Sequence, residues 1–274
     1  MNLKALYFLA LLPLAITSCD TASSDDENPE TQNPALRVQI TTNTATPFID
    51  YILEAEIKTS NSIKEVEVTD DGGASYTARE SSEPDGQGTQ VKLYFSYATL
   101  GTRKLEFKVT DIYGQVVPFS ETITVTRGNA VRILSAEVIS FYKKDQTWDP
   151  EFADTDVNRL ADVGIGLLKS KLNDRFGGTD YTMYRWYISE SRQNQSNLFF
   201  DLTDEDLYID LNKEIRIGLA DDDGGNIAQS LIPDFPDYRI VDLKTYATTR
   251  PKVITLKDDS IDLEIKFTVE WPQG

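Results

Sequence analysis

Apolar and polar residues alternate along short segments of this chain, and this pattern constrains its fold more than any other feature. Leu36, Val38 and Ile40 occupy every second position, and residues 51–57 repeat the pattern. Because neighbouring side chains of a strand point to opposite faces, a two-residue period indicates strands with one buried side. Further segments of this kind are residues 63–69, 76–79, 91–95, 105–109 and 123–125. The sequence therefore predicts an all-β protein.

Turn-forming residues separate these segments within residues 35–127. The clearest turns are Asp70-Asp71-Gly72-Gly73, Pro84-Asp85-Gly86 and Tyr113-Gly114. Asp, Gly and Pro suit the backbone conformations of tight turns. Seven short strands without a helical period are typical of an immunoglobulin-like β-sandwich. Residues 100–111 also resemble the penultimate strand of bacterial immunoglobulin-like domains, which implies a fold and no particular chemistry.

A second alternating region begins at Val131, after a break at residues 127–129. Within it, the apolar residues of 215–219 share one face of a predicted strand. Continuing the same period places Asp221 and Asp223 together at the end of that strand. Two carboxylates at this spacing repel each other unless a cation or a proton lies between them. The end of this strand is therefore a candidate metal site.

Residues 130–274 resemble C2-like calcium-binding domains, in which one loop supplies aspartates before a strand and another supplies Asp-x-Asp after an alternating strand. The resemblance implies a second, eight-stranded sandwich that holds calcium in the loops at one end. It assigns Asp149 and Asp162 as ligands from the first loop, and Asp221 and Asp223 as ligands from the later one. Calcium prefers such oxygen ligands, together with carbonyl groups and water.

These aspartates also have a second interpretation. Aspartate is common in turns because its side chain accepts hydrogen bonds from nearby backbone amides, and this chain is acidic throughout. The first loop contains the rival ligands Glu151, Asp154 and Asp156. After Gly225, no further acid occurs before Asp234. The sequence alone leaves both interpretations open, calcium ligands and turn residues.

Aromatic residues provide another candidate site. Tyr181, Tyr184, Trp186 and Tyr187 lie close together in the sequence, and in a strand Tyr184 and Trp186 would share a face. Flat rings on the surface of a sandwich stack against sugars in many carbohydrate-binding modules. Tyr184 and Trp186 are therefore candidate ligand-binding residues. The alternative is that these rings fill the core, as large aromatic side chains usually do.

The start of the chain carries an export signal. Lys4 precedes a mostly apolar run at residues 5–16, which would extend about 18 Å as a helix and so fall short of a membrane core of about 30 Å. This length indicates a signal peptide over residues 1–18. Ile16-Thr17-Ser18-Cys19 resembles the lipobox of bacterial lipoproteins. The resemblance implies that Cys19 becomes the lipidated mature N-terminus, whose acyl chains hold the protein to a membrane.

Residues 19–34 form an acidic tether in this interpretation. They contain five carboxylates, no basic residue and no aliphatic side chain larger than alanine, which predicts disorder. Ser24-Asp25-Asp26-Glu27 resembles the acidic export signals of some Gram-negative lipoproteins. That resemblance implies an outer-membrane lipoprotein exposed at the cell surface. An aspartate directly after the lipidated cysteine, here Asp20, can instead act as an inner-membrane retention signal in other bacteria.

Charge and composition exclude several functions. A net charge of −18 repels DNA and RNA, so we predict no nucleic-acid partner. The chain has no histidine, and its one cysteine lies in the lipobox, so the commonest general base and the thiol nucleophile are both missing. We predict a non-catalytic envelope lipoprotein whose first sandwich is a spacer and whose second binds a glycan or protein partner, with calcium stiffening its loops if the aspartates converge. The alternatives are a glycan-binding lipoprotein of a polysaccharide-utilisation system and a glycosidase-like enzyme.

Overall fold

The computed structural model describes residues 32–71, 73–178, 180–222, 224 and 229–273. Residues Ala35–Gly274 form one compact unit. Strands and four short 3₁₀ turns make up the regular structure of these residues, so the predicted all-β fold class is confirmed. In the described part of the chain, no helix is both long enough and apolar enough to cross a membrane. The predicted signal peptide, Cys19 and Asp223 lie outside the described residues.

The first sandwich contains seven strands, each of which overlaps one of the seven alternating segments, although the last strand begins at Val116, well before the predicted segment 123–125. They are β1 (Val38–Thr42), β2 (Leu53–Thr59), β3 (Ile63–Thr69), β4 (Thr77–Glu80), β5 (Gln90–Phe95), β6 (Gly101–Asp111) and β7 (Val116–Val125). One sheet has the order β1-β2-β5 and the other has the order β4-β3-β6-β7. Leu53 and Ile57 of the first sheet and Val66 and Phe107 of the second are buried in a shared core. This is the immunoglobulin-like arrangement that the sequence predicted.

The second sandwich is built from ten strands. Four of them are short and form two pairs, and the two members of each pair lie along the same edge of one longer strand. The ten strands are β8 (Ala130–Ser140), β9 (Val163–Leu172), β10 (Tyr181–Ile188), β11 (Phe199–Asp201), β12 (Tyr208–Asp210), β13 (Glu214–Asp221), β14 (Gln229–Ser230), β15 (Arg239–Asp242), β16 (Val253–Asp258) and β17 (Leu263–Glu270). In one sheet β10, β9 and β13 are neighbours, and both β14 and β15 pair with β13. In the other, β8 pairs with β11, β12 and β17, and β16 pairs with β17. Counting each pair of short strands as one, the sandwich has four positions in each sheet, as the C2-like resemblance implied.

A buried ion pair joins the two sandwiches. Lys169 of β9 is fully buried, and its Nζ donates to Asp50 Oδ1 at 2.9 Å, to Asp50 Oδ2 at 3.1 Å and to the Tyr208 carbonyl at 2.8 Å. The ring centroid of Trp186 lies 4.3 Å from the same Nζ. Asp50 also accepts a hydrogen bond from the Asp210 amide at 3.0 Å. Burial lowers the pKa of Lys169, and the charge of Asp50 opposes that shift.

Further contacts extend this junction. The Arg175 guanidinium donates to Asp70 Oδ1 at 2.6 Å and lies 4.9 Å from the ring centroid of Phe95. Ala130 and Tyr208, from β8 and β12, are buried in the core of the first sandwich. Because side chains of one sandwich complete the core of the other, the two sandwiches pack as one body.

Candidate ligand-binding cleft

A cleft crosses the outward face of the sheet formed by β10, β9 and β13. The buried residues of β9 and β13 alternate with Gly164, Gly166, Gly218 and Ala220, which therefore face outward. Gly166 lies opposite Gly218, and Gly164 lies opposite Ala220, in the pairing of the two strands. No side chain larger than a methyl group rises from this part of the sheet. The result is a hollow of about 610 Å³, a volume typical of small-molecule sites.

The backbone does not require these glycines. None of the three has a positive φ, and a Cβ added at Gly166 would meet nothing within 4 Å. At Gly164 and Gly218 the nearest atoms would lie 3.8 Å away, which is ordinary van der Waals contact. A glycine inside a strand costs roughly 0.5–1 kcal/mol relative to alanine and often marks a place where a ligand approaches the backbone. The glycines therefore keep space open at a cost in stability.

One wall of the cleft is the loop of residues 231–238, between β14 and β15. Leu231 and Ile232 anchor the loop because both are buried. The loop leans over the floor, since a Cβ on Gly218 would lie 3.8 Å from the Asp237 carbonyl oxygen. The Tyr238 ring lies beneath the Arg216 guanidinium at 4.7 Å. This wall therefore combines an aromatic surface with polar backbone and carboxylate groups.

The tip of this loop presents an aromatic ring to solvent. Phe235 is 97% exposed, although the backbone around it is held in place. Arg239 donates to the Pro236 and Tyr238 carbonyls, each at 3.0 Å, and to Asp258 Oδ2 at 2.7 Å. A fully exposed phenylalanine forgoes about 1.5–3 kcal/mol of burial free energy. The exposed ring thus lies at the tip of a hydrogen-bonded loop that forms one wall of the cleft.

The hydrogen bond from Arg239 to Asp258 allows a prediction of how acid affects this loop. Hydrogen bonds from Ser260 and Arg239 hold the pKa of Asp258 below its ordinary value of 3.8. The folded state therefore binds fewer protons here than the unfolded state, and the contribution of Asp258 is present above pH 3.8 and lost as the pH falls below it. We expect Asp258→Asn to flatten the acid limb of a plot of melting temperature against pH, between about pH 6 and pH 2. Asp262→Asn, at an exposed position, is the matched control, and equal slopes for both variants would contradict the prediction.

Polar groups line the end of the cleft nearest the start of β9. The Ser191 hydroxyl donates to Asp222 Oδ2 at 2.6 Å, and the Gly224 amide donates to Oδ1 at 3.1 Å. The hydrogen bond from Ser191 is the main cause that lowers the pKa of Asp222. Arg185 and Ile188 of β10 line the opposite wall. The cleft thus offers hydrogen-bond donors, acceptors and apolar surface around a flat floor.

Asp162 and Asp221, two of the predicted calcium ligands, lie at the same end of the second sandwich. Asp221 Oδ1 accepts a hydrogen bond from the Asp162 amide at 2.6 Å, and Asp162 Oδ1 accepts one from the Asn194 amide at 2.7 Å. The Asp149 amide donates to the Arg159 carbonyl at 3.2 Å. Among the described residues, which do not include Asp223, no three acidic side chains form a group that could hold a metal ion. Asp162 and Asp221 thus each accept a hydrogen bond from a backbone amide of another segment of the chain. Both interpretations of these aspartates stay predictions.

A substitution separates these two interpretations. Asp221 is fully buried. Asp221→Ala should therefore leave the Asp162 amide without its hydrogen-bond acceptor and lower the free energy of unfolding by about 1–3 kcal/mol. If Asp221 fixes the loop, urea denaturation will give the same loss with a chelator and with millimolar calcium. Asp204→Ala, at an exposed position, is the control. A loss that occurs only when calcium is present would contradict the turn interpretation and support a metal site.

Of the aromatic cluster that the sequence indicated, Tyr187 lines the cleft, whereas Tyr184 and Trp186 do not. Tyr184 lies opposite the buried Lys169 in the pairing of β10 with β9, and burial raises its pKa to about 12. Trp186 packs against the core and over Lys169. Both rings are half-buried, and Trp186 also lines a separate hollow together with Glu190 and Glu205. A ligand-binding role for Tyr184 and Trp186 therefore stays a prediction. Sequence reasoning did not identify the glycines of the floor. The pattern that could have identified them is glycine or alanine at every outward position of residues 163–167 and 217–220.

No protein-family model and no curated protein matches this chain. A solved structure of carbohydrate-binding modules from the β-sandwich superfamily shares 10% identity, with 88% of this chain and 94% of that chain covered and a TM-score of 0.28. Dimeric latent PorU from Porphyromonas gingivalis shares 13% identity, with 77% of this chain and 21% of that chain covered and a TM-score of 0.28. The sulfur carrier protein SoxY from Chlorobium limicola shares 15% identity over 32% of this chain and 78% of that chain, with a TM-score of 0.26. At these TM-scores the likenesses carry no functional weight.

Proposed function

We propose that this chain is a non-catalytic glycan-binding protein of the bacterial cell envelope, and that it holds its ligand in the cleft above Gly166 and Gly218. The observation that carries the proposal is the floor of that cleft. Two neighbouring strands lack side chains on the same patch, although their backbone conformation and surroundings would accept them. An open floor of this kind suits a ligand that presents a broad ring face.

The groups around the floor match the chemistry of a sugar. A pyranose ring has apolar C–H faces and hydroxyl groups at its edge, each of which both donates and accepts hydrogen bonds. Arg185 supplies donors, and Asp222 and Asp237 supply acceptors. Hydrogen bonds to charged groups are worth more than those between neutral groups. Tyr238 lines the cleft and supplies aromatic surface for the C–H faces.

Charge narrows the class of glycan. The chain carries a net charge of −18, and the cleft itself has two carboxylates against one guanidinium. Such a field disfavours polyanions. The ligand that fits best is therefore a neutral polysaccharide or an oligosaccharide derived from one.

The proposed location follows from the start of the chain. Ile16-Thr17-Ser18-Cys19 resembles a lipobox, and lipid on Cys19 would tether the sandwiches to the outer membrane, with the acidic residues 19–34 between the lipid and the first sandwich. A glycan ligand is consistent with display at the cell surface. Mass spectrometry of the mature protein tests this part, with a lipid-modified Cys19 at the N-terminus as the expected result. An unmodified full-length product would contradict it.

Titration of the purified protein against a panel of neutral and acidic polysaccharides tests the proposed binding. We expect heat of binding with at least one neutral polysaccharide and none with acidic ones at physiological ionic strength. Binding that is confined to acidic polysaccharides would contradict the charge argument. The absence of binding to every member of a broad panel would contradict the proposed function.

A further inference from the structure

A second hollow lies on the same outward face of the sheet, further along the strands. Its volume is about 640 Å³, and its lining includes Ser170 of β9, Met183 of β10 and Ile240 of β15. Tyr181 and Lys213 also line it, and the Lys213 ammonium lies 3.9 Å from the centroid of the Tyr181 ring. We call this the lower hollow, and the cleft above Gly166 and Gly218 the upper hollow.

One row of side chains separates the two hollows. Leu168 lies opposite Arg185 of β10 on one side and opposite Arg216 of β13 on the other. Leu168 and Arg185 line the upper hollow, while Arg216 lines the lower one. The two hollows therefore meet at this row and follow one another along β9. From Gly164 to Ser170 the strand rises about 20 Å, so the two hollows together extend along about this length of the sheet.

The lower hollow has the same kinds of surface as the upper one. Tyr181 is 43% exposed and Ile240 is 45% exposed, which gives it two apolar patches. Arg216 Nε donates to Glu214 Oε1 at 2.8 Å, so the guanidinium at the boundary is fixed in orientation. A fixed guanidinium between two hollows can donate to hydroxyl groups of a ligand that passes from one to the other.

We propose that the two hollows are consecutive subsites for one extended oligosaccharide, and that the lower hollow binds the sugar units beyond those held in the upper hollow. This inference rests on the proposed function and adds the form of the ligand, a chain several units long. Its physical consequence is that affinity depends on chain length. Short chains fill only the upper hollow, whereas longer chains gain contacts in the lower hollow without a second loss of translational freedom.

The test uses oligosaccharides of increasing length from whichever neutral polysaccharide the panel identifies. Calorimetry on the full protein should show affinity rising about tenfold or more from two units to five. Ser170→Trp fills the lower hollow, so it should leave the affinity for two units within about twofold and remove the rise for longer chains. Tyr181→Ala should reduce the same rise by removing apolar surface. Thr255→Trp, on an exposed position of β16, is the matched control and should behave as wild type.

The outcomes separate this inference from the proposed function. Binding that is equally tight at every length, or a rise with length that survives both Ser170→Trp and Tyr181→Ala, would overturn the second subsite and leave the glycan-binding function in place. The absence of binding at every length would overturn both. Circular dichroism melting of each variant shows whether a loss of affinity reflects unfolding.

Discussion

Replacing Lys169 by methionine is expected to lower the free energy of unfolding by about 3–5 kcal/mol. The lysine is fully buried where the two sandwiches meet, and it is bonded to both carboxylate oxygens of Asp50. Methionine fills the same volume but leaves the Asp50 carboxylate buried without its cation. Urea denaturation followed by circular dichroism measures the loss.

Lys171→Met is the matched control, two residues along the same strand at an exposed position. We expect its effect on the free energy of unfolding to stay within about 0.5 kcal/mol of zero. Adding Asp50→Asn to Lys169→Met removes the buried carboxylate charge that has lost its cation. The side-chain oxygen of the new asparagine can still accept a hydrogen bond from the Asp210 amide. The double variant should therefore be more stable than the sum of the single losses predicts. Strictly additive losses, or equal effects at positions 169 and 171, would contradict the account of the junction.

Replacing Gly166 by tryptophan is expected to weaken glycan binding by about a hundredfold or more without weakening the fold. A Cβ at this position meets nothing within 4 Å, so the new ring can enter the cleft instead of the core. Its bulk then occupies the space above the floor that the ligand needs. Because a glycine inside a strand is destabilising, the free energy of unfolding should stay level or rise by about 0.5–1 kcal/mol.

Gly166→Ala provides the conservative comparison for this experiment. One methyl group fits without contact, so this variant should keep most of the affinity while gaining the same stability. Calorimetry with the glycan identified by the panel measures affinity, and thermal melting measures stability. A tryptophan variant that binds as tightly as wild type would show that the ligand does not lie above Gly166. Unfolding of either variant would contradict the claim that the backbone accepts a side chain there.

The strands could be predicted from the sequence because a half-buried strand leaves a local signal. Each alternating segment of residues 35–127 overlaps a strand of the structure. In β9 the buried positions Val163, Ile165 and Leu167 are followed by Lys169, which the sequence analysis did not single out. Its partner could not be predicted. Asp50 lies 119 residues away in the sequence, and only the packing of two sandwiches brings the charges together.

The binding surface was harder to predict for a related reason. The sequence drew attention to large side chains, whereas the cleft is defined by their absence at Gly164, Gly166 and Gly218. These glycines form one floor only because the pairing of β9 with β13 sets Gly166 opposite Gly218, and sequence periodicity does not determine pairing. Alternation also fails within β10, whose register shifts between Arg185 and Tyr187.

The most direct test of the central claim is to observe the floor of the cleft while ligand is added. Isotope-labelled protein, titrated with the oligosaccharide that binds best, allows the backbone amide resonances to be followed one by one. We predict that the resonances of Gly164, Gly166 and Gly218 shift in proportion to the bound fraction. If those three resonances stay fixed while others near Trp186 or in the loop of residues 141–162 move, the ligand binds elsewhere and the account is contradicted.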